Sequence, residues 1–167
     1  KCLLDYGVRF REEERLPYKT DLTNLKAVAL THCHIDHSGA IPFLYKNHNN
    51  PTLYTNPLTL DITEKLVEDM LKVSKYPYPF GIREIKKMIQ NSFFLKNKIT
   101  HRVSRDFSIT FYDAGHVPGS VSIVLEVDGK RILYTGDINN KNTNLVKSAD
   151  SSEIPEIDVT LMESTYA

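Results

Sequence analysis

Three histidines and one aspartate fall within residues 32–37, inside the run THCHIDHSGAIPFL at 31–44. His32, His34 and Asp36 alternate, so an extended backbone presents their side chains on one face. His37 stands at the start of an expected helix and can turn toward the same point. Imidazole nitrogen and carboxylate oxygen are donors that suit zinc, and also iron or manganese. A single zinc takes about four ligands, and so short a backbone cannot wrap four side chains around one ion. The spacing favours two adjacent ions, with further ligands from elsewhere. The chain offers His116 in DAGHVPGS and Asp137 in LYTGDIN, each just after an expected strand. A carboxylate in that position is suited to bridging two cations. Crowding so many polar groups together with no ligand would be costly. Cys33 points to the other face of an extended segment and reads as a small packing residue. His48 and His101 read as ordinary structural or surface histidines.

The neighbouring segments supply the scaffold. KCLLDYG predicts a short strand followed by a turn, and KAVALT is an apolar run too short for a helix, hence a buried strand. The charged, aperiodic stretch between them reads as a loop. HSGAIPFLYKNH predicts a helix that starts near Ser38 and Gly39, with Pro42 tolerable only in its first turn. PTLYT reads as a strand. NPLTLDITEKLVEDMLKVSK predicts a helix capped by Asn56, with Pro57 at its first position and Leu60, Glu64, Val67 and Leu71 at helical spacing. YPYPFG breaks it. IREIKKMIQNSFFL predicts a second amphipathic helix with Ile82, Ile85, Met88 and Ile89 on one face. SITFYDAG, SVSIVLEV and KRILYTGD read as strands, the last two joined by an Asp128-Gly129 hairpin. DVTLMESTYA reads as a final apolar strand ending in a polar turn. The order predicts an α/β domain with a mixed sheet covered by helices.

The composition narrows the class. The chain has 167 residues, enough for one domain with a real core. Lys plus Arg and Asp plus Glu number 21 each, so no basic excess marks a nucleic-acid partner, and attraction to a polyanion would have to be local or come from bound cations. Two cysteines, Cys2 and Cys33, make no disulfide framework and suit a reducing cytoplasm. No apolar run is long enough to cross a membrane. The chain opens and closes within expected strands, and the expectation is a partial domain truncated at both ends.

H-x-H-x-D-H after a buried strand resembles the metal signature of the metallo-β-lactamase superfamily. AGHVPGS resembles its next histidine motif, LYTGD its bridging aspartate motif, and CLLDYG its first motif, with Asp5 in place. LMESTYA, with Glu163 in an E-S-T-Y context, makes the chain similar to the β-CASP branch, nucleases that process RNA and DNA. Within it the chain resembles the first half of the catalytic subunit of the cleavage and polyadenylation specificity factor and its archaeal mRNA 3′-end processing relatives. The resemblance implies an αββα sandwich of mixed sheets with outer helices, residues 1–167 forming part of it. A β-CASP domain with two further histidine motifs is expected after residue 167. It implies that His32, His34 and His116 hold one zinc, that Asp36 and His37 hold a second, and that Asp137 bridges. Asp5 would orient a ligand from behind, Glu163 would orient a catalytic histidine of the absent half, and Asp36 and His37 would be catalytic as well as ligating.

The implied activity is hydrolysis of RNA phosphodiesters by hydroxide attack between two zincs. RNA is the expected substrate, although the residues alone do not separate it from DNA, and other processing factors are expected partners. These 167 residues alone are expected to bind at least one zinc and to cleave RNA weakly or not at all. Two other readings use the same ligands: a small-molecule hydrolase of thioesterase or lactonase type, and a non-catalytic scaffold subunit. A third zinc histidine soon after residue 167 would mark the small-molecule enzyme, and loss of ligands would mark the scaffold. YPYPFG, which could stack bases, reads instead as turns that link two helices.

Overall fold

A computed structural model of the chain describes residues 1–9, 15–18, 21–46 and 50–165. Residues 10–14 and 19–20 of the charged loop between the first two strands, residues 47–49 with His48, and the last two residues of ESTYA lie outside them. The chain divides into two compact units, Lys1–Phe94 and Leu95–Ala167.

The first unit is built on a four-stranded parallel sheet: β1 (Cys2–Leu4), β2 (Ala27–Ala29), β3 (Thr52–Thr55) and β4 (Ser92–Phe94), adjacent in that order. This sheet is wholly parallel, not mixed. Every residue of β2 is buried, which accounts for its unbroken apolar run: a parallel strand covered on both faces has no polar side to show. A single helical turn, α1 (Ile35–Ser38), follows β2, and a 3-10 turn covers Ile41–Tyr45. Helix α2 (Pro57–Val73) follows β3, and α3 (Ile82–Gln90) precedes β4.

Helix α2 starts as expected. Asn56 accepts a hydrogen bond from the Thr59 amide at 3.0 Å, and Pro57 takes the first turn. Its buried stripe is Leu60, Thr63, Val67 and Met70, so Thr63 occupies the place that helical spacing gave to Glu64. In α3, Ile85 and Met88 are buried, whereas Ile82 lies exposed at the first turn. Glu84 reaches back to accept from the Gly81 amide at 3.0 Å and closes that end. Leu30, Leu53, Val67, Ile85 and Met88 belong to one apolar cluster that also takes in Phe80. Tyr78 packs against it, so YPYPFG is anchored as a connection, in keeping with its reading as turns.

Two segments fold differently from the sequence expectation. The helix expected to start at Ser38 is instead α1, which begins at Ile35 and already contains Asp36 and His37, and then the 3-10 turn. Pro42 has no amide hydrogen and disfavours α geometry in the residue before it, so one continuous helix cannot run through it. The second helix ends at Gln90, and Ser92–Phe94 becomes β4, paired with β3 from Leu53↔Ser92 to Thr55↔Phe94. Two consecutive phenylalanines fit a strand as well as a helix, and periodicity does not separate them in so short a run.

The second unit is a five-stranded mixed sheet in sequence order: β5 (His101–Arg102), β6 (Phe107–Asp113), β7 (Val121–Val127), β8 (Lys130–Tyr134) and β9 (Val159–Leu161). The pairings are antiparallel up to β8, and β9 joins β8 in parallel. Asp128 and Gly129 join β7 to β8 with φ of +50° and +73°, the left-handed pair of a primed hairpin turn that the sequence predicted. Sequence patterning missed β5, which is only two residues long. Among the described residues no helix is long and apolar enough to cross a membrane.

Candidate metal centre

Parallel pairing of β1 with β2 brings their carboxyl ends to the same edge of the sheet, where open α/β sheets carry their sites. Leu4 lies opposite Ala29, so Asp5 follows beside Leu30 and Thr31. The Asp5 amide still bonds the Ala29 carbonyl at 2.9 Å, after which Asp5 turns into the left-handed region at φ +54°. Few non-glycine residues do so, and aspartate is among the more tolerant. The buried Asp5 carboxylate accepts three hydrogen bonds, from the Thr31 amide at 2.8 Å, the Thr31 hydroxyl at 2.7 Å and His37 Nδ1 at 2.8 Å.

His32 is fully buried, with Nδ1 3.0 Å from the Thr31 hydroxyl and Nε2 3.0 Å from His34 Nδ1. The His32 and His37 rings also lie close, 4.2 Å between centroids. His34 caps α1 in extended geometry, and its carbonyl accepts from the His37 and Ser38 amides at 2.9 and 2.8 Å. The alternation expected for His32, His34 and Asp36 therefore holds only for the two histidines. Asp36 lies on the helical turn, with Oδ2 4.0 Å from His37 Nε2. Cys33 is buried, as expected of a packing residue, and its carbonyl accepts from the Ser38 hydroxyl at 2.9 Å.

The turn is clamped from the side by residues 6–8. The Tyr6 amide bonds the His37 carbonyl at 2.7 Å, the Val8 amide bonds the Ile35 carbonyl at 3.0 Å, and the Ala40 amide bonds the Tyr6 carbonyl at 2.9 Å. Gly7 sits between these bonds so closely that a Cβ there would lie 1.6 Å from the Asp36 carbonyl oxygen.

The second unit presents its own pair of donors. His116 Nε2 lies 3.5 Å from Asp137 Oδ2. His116 stands in the β6–β7 loop, where the buried Ser120 hydroxyl accepts from the amides of His116 and Val117, both at 3.1 Å. The preceding Gly115 has φ +69°, and a Cβ on it would meet the Asn139 carbonyl oxygen at 2.6 Å. Asp137 follows β8, and the next amide, Ile138, donates to Glu163 Oε1 at 2.7 Å. Bonds from the Thr165 side chain and the Ile138 amide hold the Glu163 carboxyl below its usual range. In this structure Glu163 thus braces the turn that carries Asp137.

Ligands of one tetrahedral zinc, each about 2.0–2.1 Å from the metal, lie roughly 3.3 Å apart. The His32–His34 pair at 3.0 Å and the His116–Asp137 pair at 3.5 Å both fit that spacing. Asp36 and His37 are somewhat wider, and the Asp36 carboxylate is exposed. Among the described residues, the donors grouped closely enough to help hold a metal ion are His32 and His34 in the first unit and His116 and Asp137 in the second. His101 stands on β5 and is not in that group. Sequence reasoning missed Thr31, Gly7 and Ser120. Each supports a donor through a backbone approach or a hydroxyl, and neither leaves a spacing pattern.

A family model for the metallo-beta-lactamase superfamily matches residues 12–154. Among curated proteins, the chain is 35% identical over 99% of its length to a probable RNase, MJ4, of Methanocaldococcus jannaschii. It is 38% identical over 99% of its length to an RNase J-like protein of the same organism, and 35% identical over 98% to RNase aCSPSF2 of Saccharolobus solfataricus. It spans 40%, 37% and 34% of these three relatives. A crystal structure of a protein of unknown function from Enterococcus faecalis shares the fold, with a TM-score of 0.58 at 20% identity, covering 83% of this chain and 38% of that one.

Proposed function

The chain belongs to the metallo-beta-lactamase superfamily, and on that premise we propose that it is part of a zinc-dependent ribonuclease of the β-CASP branch. The observation that carries the reading is the 3.0 Å approach of His32 Nε2 to His34 Nδ1, with the other His32 nitrogen already engaged by Thr31. Two imidazoles so placed present ligand nitrogens at the spacing a metal requires. The names of the relatives, which include several RNases, favour RNA as the substrate.

His32, His34 and His116 would hold the first zinc, Asp36 and His37 the second, and Asp137 would bridge them. When bound, the two cations would activate water at neutral pH and neutralise charge on a phosphodiester. The chain's own part is to hold the donors in place before reaction. Asp5 fixes the His37 ring through its Nδ1 hydrogen bond and leaves Nε2 for the metal. Asp36, exposed and next to His37, would take a proton from the attacking water. Glu163 keeps the Asp137 turn in register through Ile138, and we assign it a further part in orienting a catalytic histidine from the remainder of a longer chain. Two unpaired cysteines accord with a cytoplasmic location.

The test is metal content together with cleavage of end-labelled RNA by the complete chain, with labelled single-stranded DNA alongside. Zinc-dependent RNA cleavage that Asp36→Ala and His37→Ala each reduce by two or more orders of magnitude is the expected result. Hydrolysis of thioesters or lactones with no RNA cleavage would establish the small-molecule reading instead. Zinc binding without any hydrolysis would establish the scaffold.

A further inference from the structure

Thr31 takes no part in the chemistry proposed above, yet its hydroxyl lies between Asp5 and His32. A carboxylate only accepts hydrogen bonds, and a threonine hydroxyl has a single hydrogen to give. At 2.7 Å from Asp5 Oδ2, that hydrogen goes to the carboxylate. The Thr31 oxygen then faces His32 Nδ1 at 3.0 Å with only lone pairs, so Nδ1 must carry the hydrogen. A neutral imidazole has one ring hydrogen, and Nε2 is left bare, 3.0 Å from His34 Nδ1.

We propose that Thr31 is a positioning residue: its hydroxyl relays the Asp5 carboxylate to His32 and fixes the His32 tautomer that turns a bare Nε2 toward the metal position. Asp5 does the same for His37 directly, at 2.8 Å from Nδ1. One carboxylate therefore sets the ligand nitrogens of two histidines, through the hydroxyl for His32 and without an intermediary for His37. The assignment of those histidines to different ions rests on the proposed function. The tautomers do not, since they follow from hydrogen bonds inside the first unit alone. The Thr31 amide bond to Asp5 Oδ1 survives loss of the hydroxyl, so the carboxylate stays anchored when the relay is cut.

The experiment uses the full chain, stripped of metal, with histidine rings labelled with nitrogen-15. Two-bond nitrogen–proton spectra at about pH 8, above the ordinary imidazole pKa of about 6.5, report each tautomer. His32 and His37 are expected as Nδ1–H forms. Thr31→Val, which keeps the shape and removes the hydroxyl, should leave His37 unchanged and shift His32 to a tautomer mixture. It should also weaken zinc binding about 10–100-fold, the usual effect of losing such a partner, and Thr31→Ser should restore both to within a few-fold. An Nε2–H form of His32 in the unsubstituted chain would overturn the proposal, even if Thr31→Val fails to fold. So would a Thr31→Val chain with unchanged His32 tautomer and unchanged zinc affinity, or a Thr31→Ser chain no better than Thr31→Val. A chain that binds no zinc would sink the nuclease reading, while the His32 tautomer would still decide the role of Thr31.

Discussion

Gly7→Ala is the sharpest single perturbation of the clamp that holds Asp36 and His37. The added Cβ would lie 1.6 Å from the Asp36 carbonyl oxygen, 1.9 Å from its carbonyl carbon and 2.5 Å from the His37 nitrogen. All three are backbone atoms, so no side chain can swing aside. Ordinary contact begins at 3.4 Å, and the turn must retreat by about 1.8 Å. A shift of that size carries the bonds Tyr6–His37, Val8–Ile35 and Ala40–Tyr6, now 2.7–3.0 Å, beyond hydrogen-bond range. At about 1 kcal/mol net for each, their loss costs about 3 kcal/mol. For a chain of this size that corresponds to a fall of roughly 6–12 °C in the unfolding midpoint. Coordination tolerates only about ±0.2 Å, so a metal held by Asp36 and His37, as proposed, would be lost before one held by His32 and His34, which stand ahead of the clamped turn. Calorimetry and metal content per chain read both effects. Gly81→Ala serves as the control, since a Cβ there meets nothing within 4 Å. A Gly7→Ala chain that melts within about 2 °C of the unsubstituted one and keeps its full metal content would refute the clamp.

Chelation should lower the unfolding midpoint, and returned zinc should raise it with the logarithm of its concentration, by about 2.7 kcal/mol at 100 times the dissociation constant. A midpoint indifferent to zinc would remove the metal reading. The β8–β9 pairing should be acid-labile through Asp158, whose carboxyl accepts from the Lys130 ammonium at 2.7 Å and the Arg131 amide at 2.9 Å. Those bonds hold Asp158 below its ordinary value of 3.8, so its contribution is complete above that pH and disappears as pH falls through the depressed value. Asp158→Asn should flatten the acid limb of hydrogen exchange at Thr160 and Leu161, and an unchanged limb would show that the pairing does not depend on the charge.

The strands and helices were legible where one periodicity dominated. The capped start of α2 and the Asp128-Gly129 turn are legible in the sequence because each depends on a few adjacent residues. Sequence and structure part where local preference is divided. Ser92–Phe94 has the composition of a strand but follows a helical pattern without a break, and what makes it β4 is pairing with β3, some forty residues earlier in the chain. The 3-10 turn at Ile41–Tyr45 arises because Pro42 forbids the α-helix that the surrounding apolar residues favour.

The same distinction separates the donors of the candidate site from the groups that hold them. His32, His34, Asp36 and His37 are close in sequence, so their spacing alone suggested a ligand cluster. Asp5 and Gly7 come from the segment after β1, and Thr31, although next to His32 in sequence, meets Asp5 only through the fold. Parallel strand pairing brings the two segments together, and a sequence shows neither the pairing nor its register. Asp5 could be named only because CLLDYG resembles a known motif, whereas Thr31 and Gly7 belong to no pattern of charge or periodicity. A hydroxyl that fixes a tautomer and a glycine that admits a carbonyl act at distances of about 3 Å or less, and they become visible only when the chain is folded. Substitutions at Thr31 and Gly7 should therefore alter metal binding although no candidate ligand residue is replaced, so intact ligand motifs in a sequence do not by themselves establish a working centre.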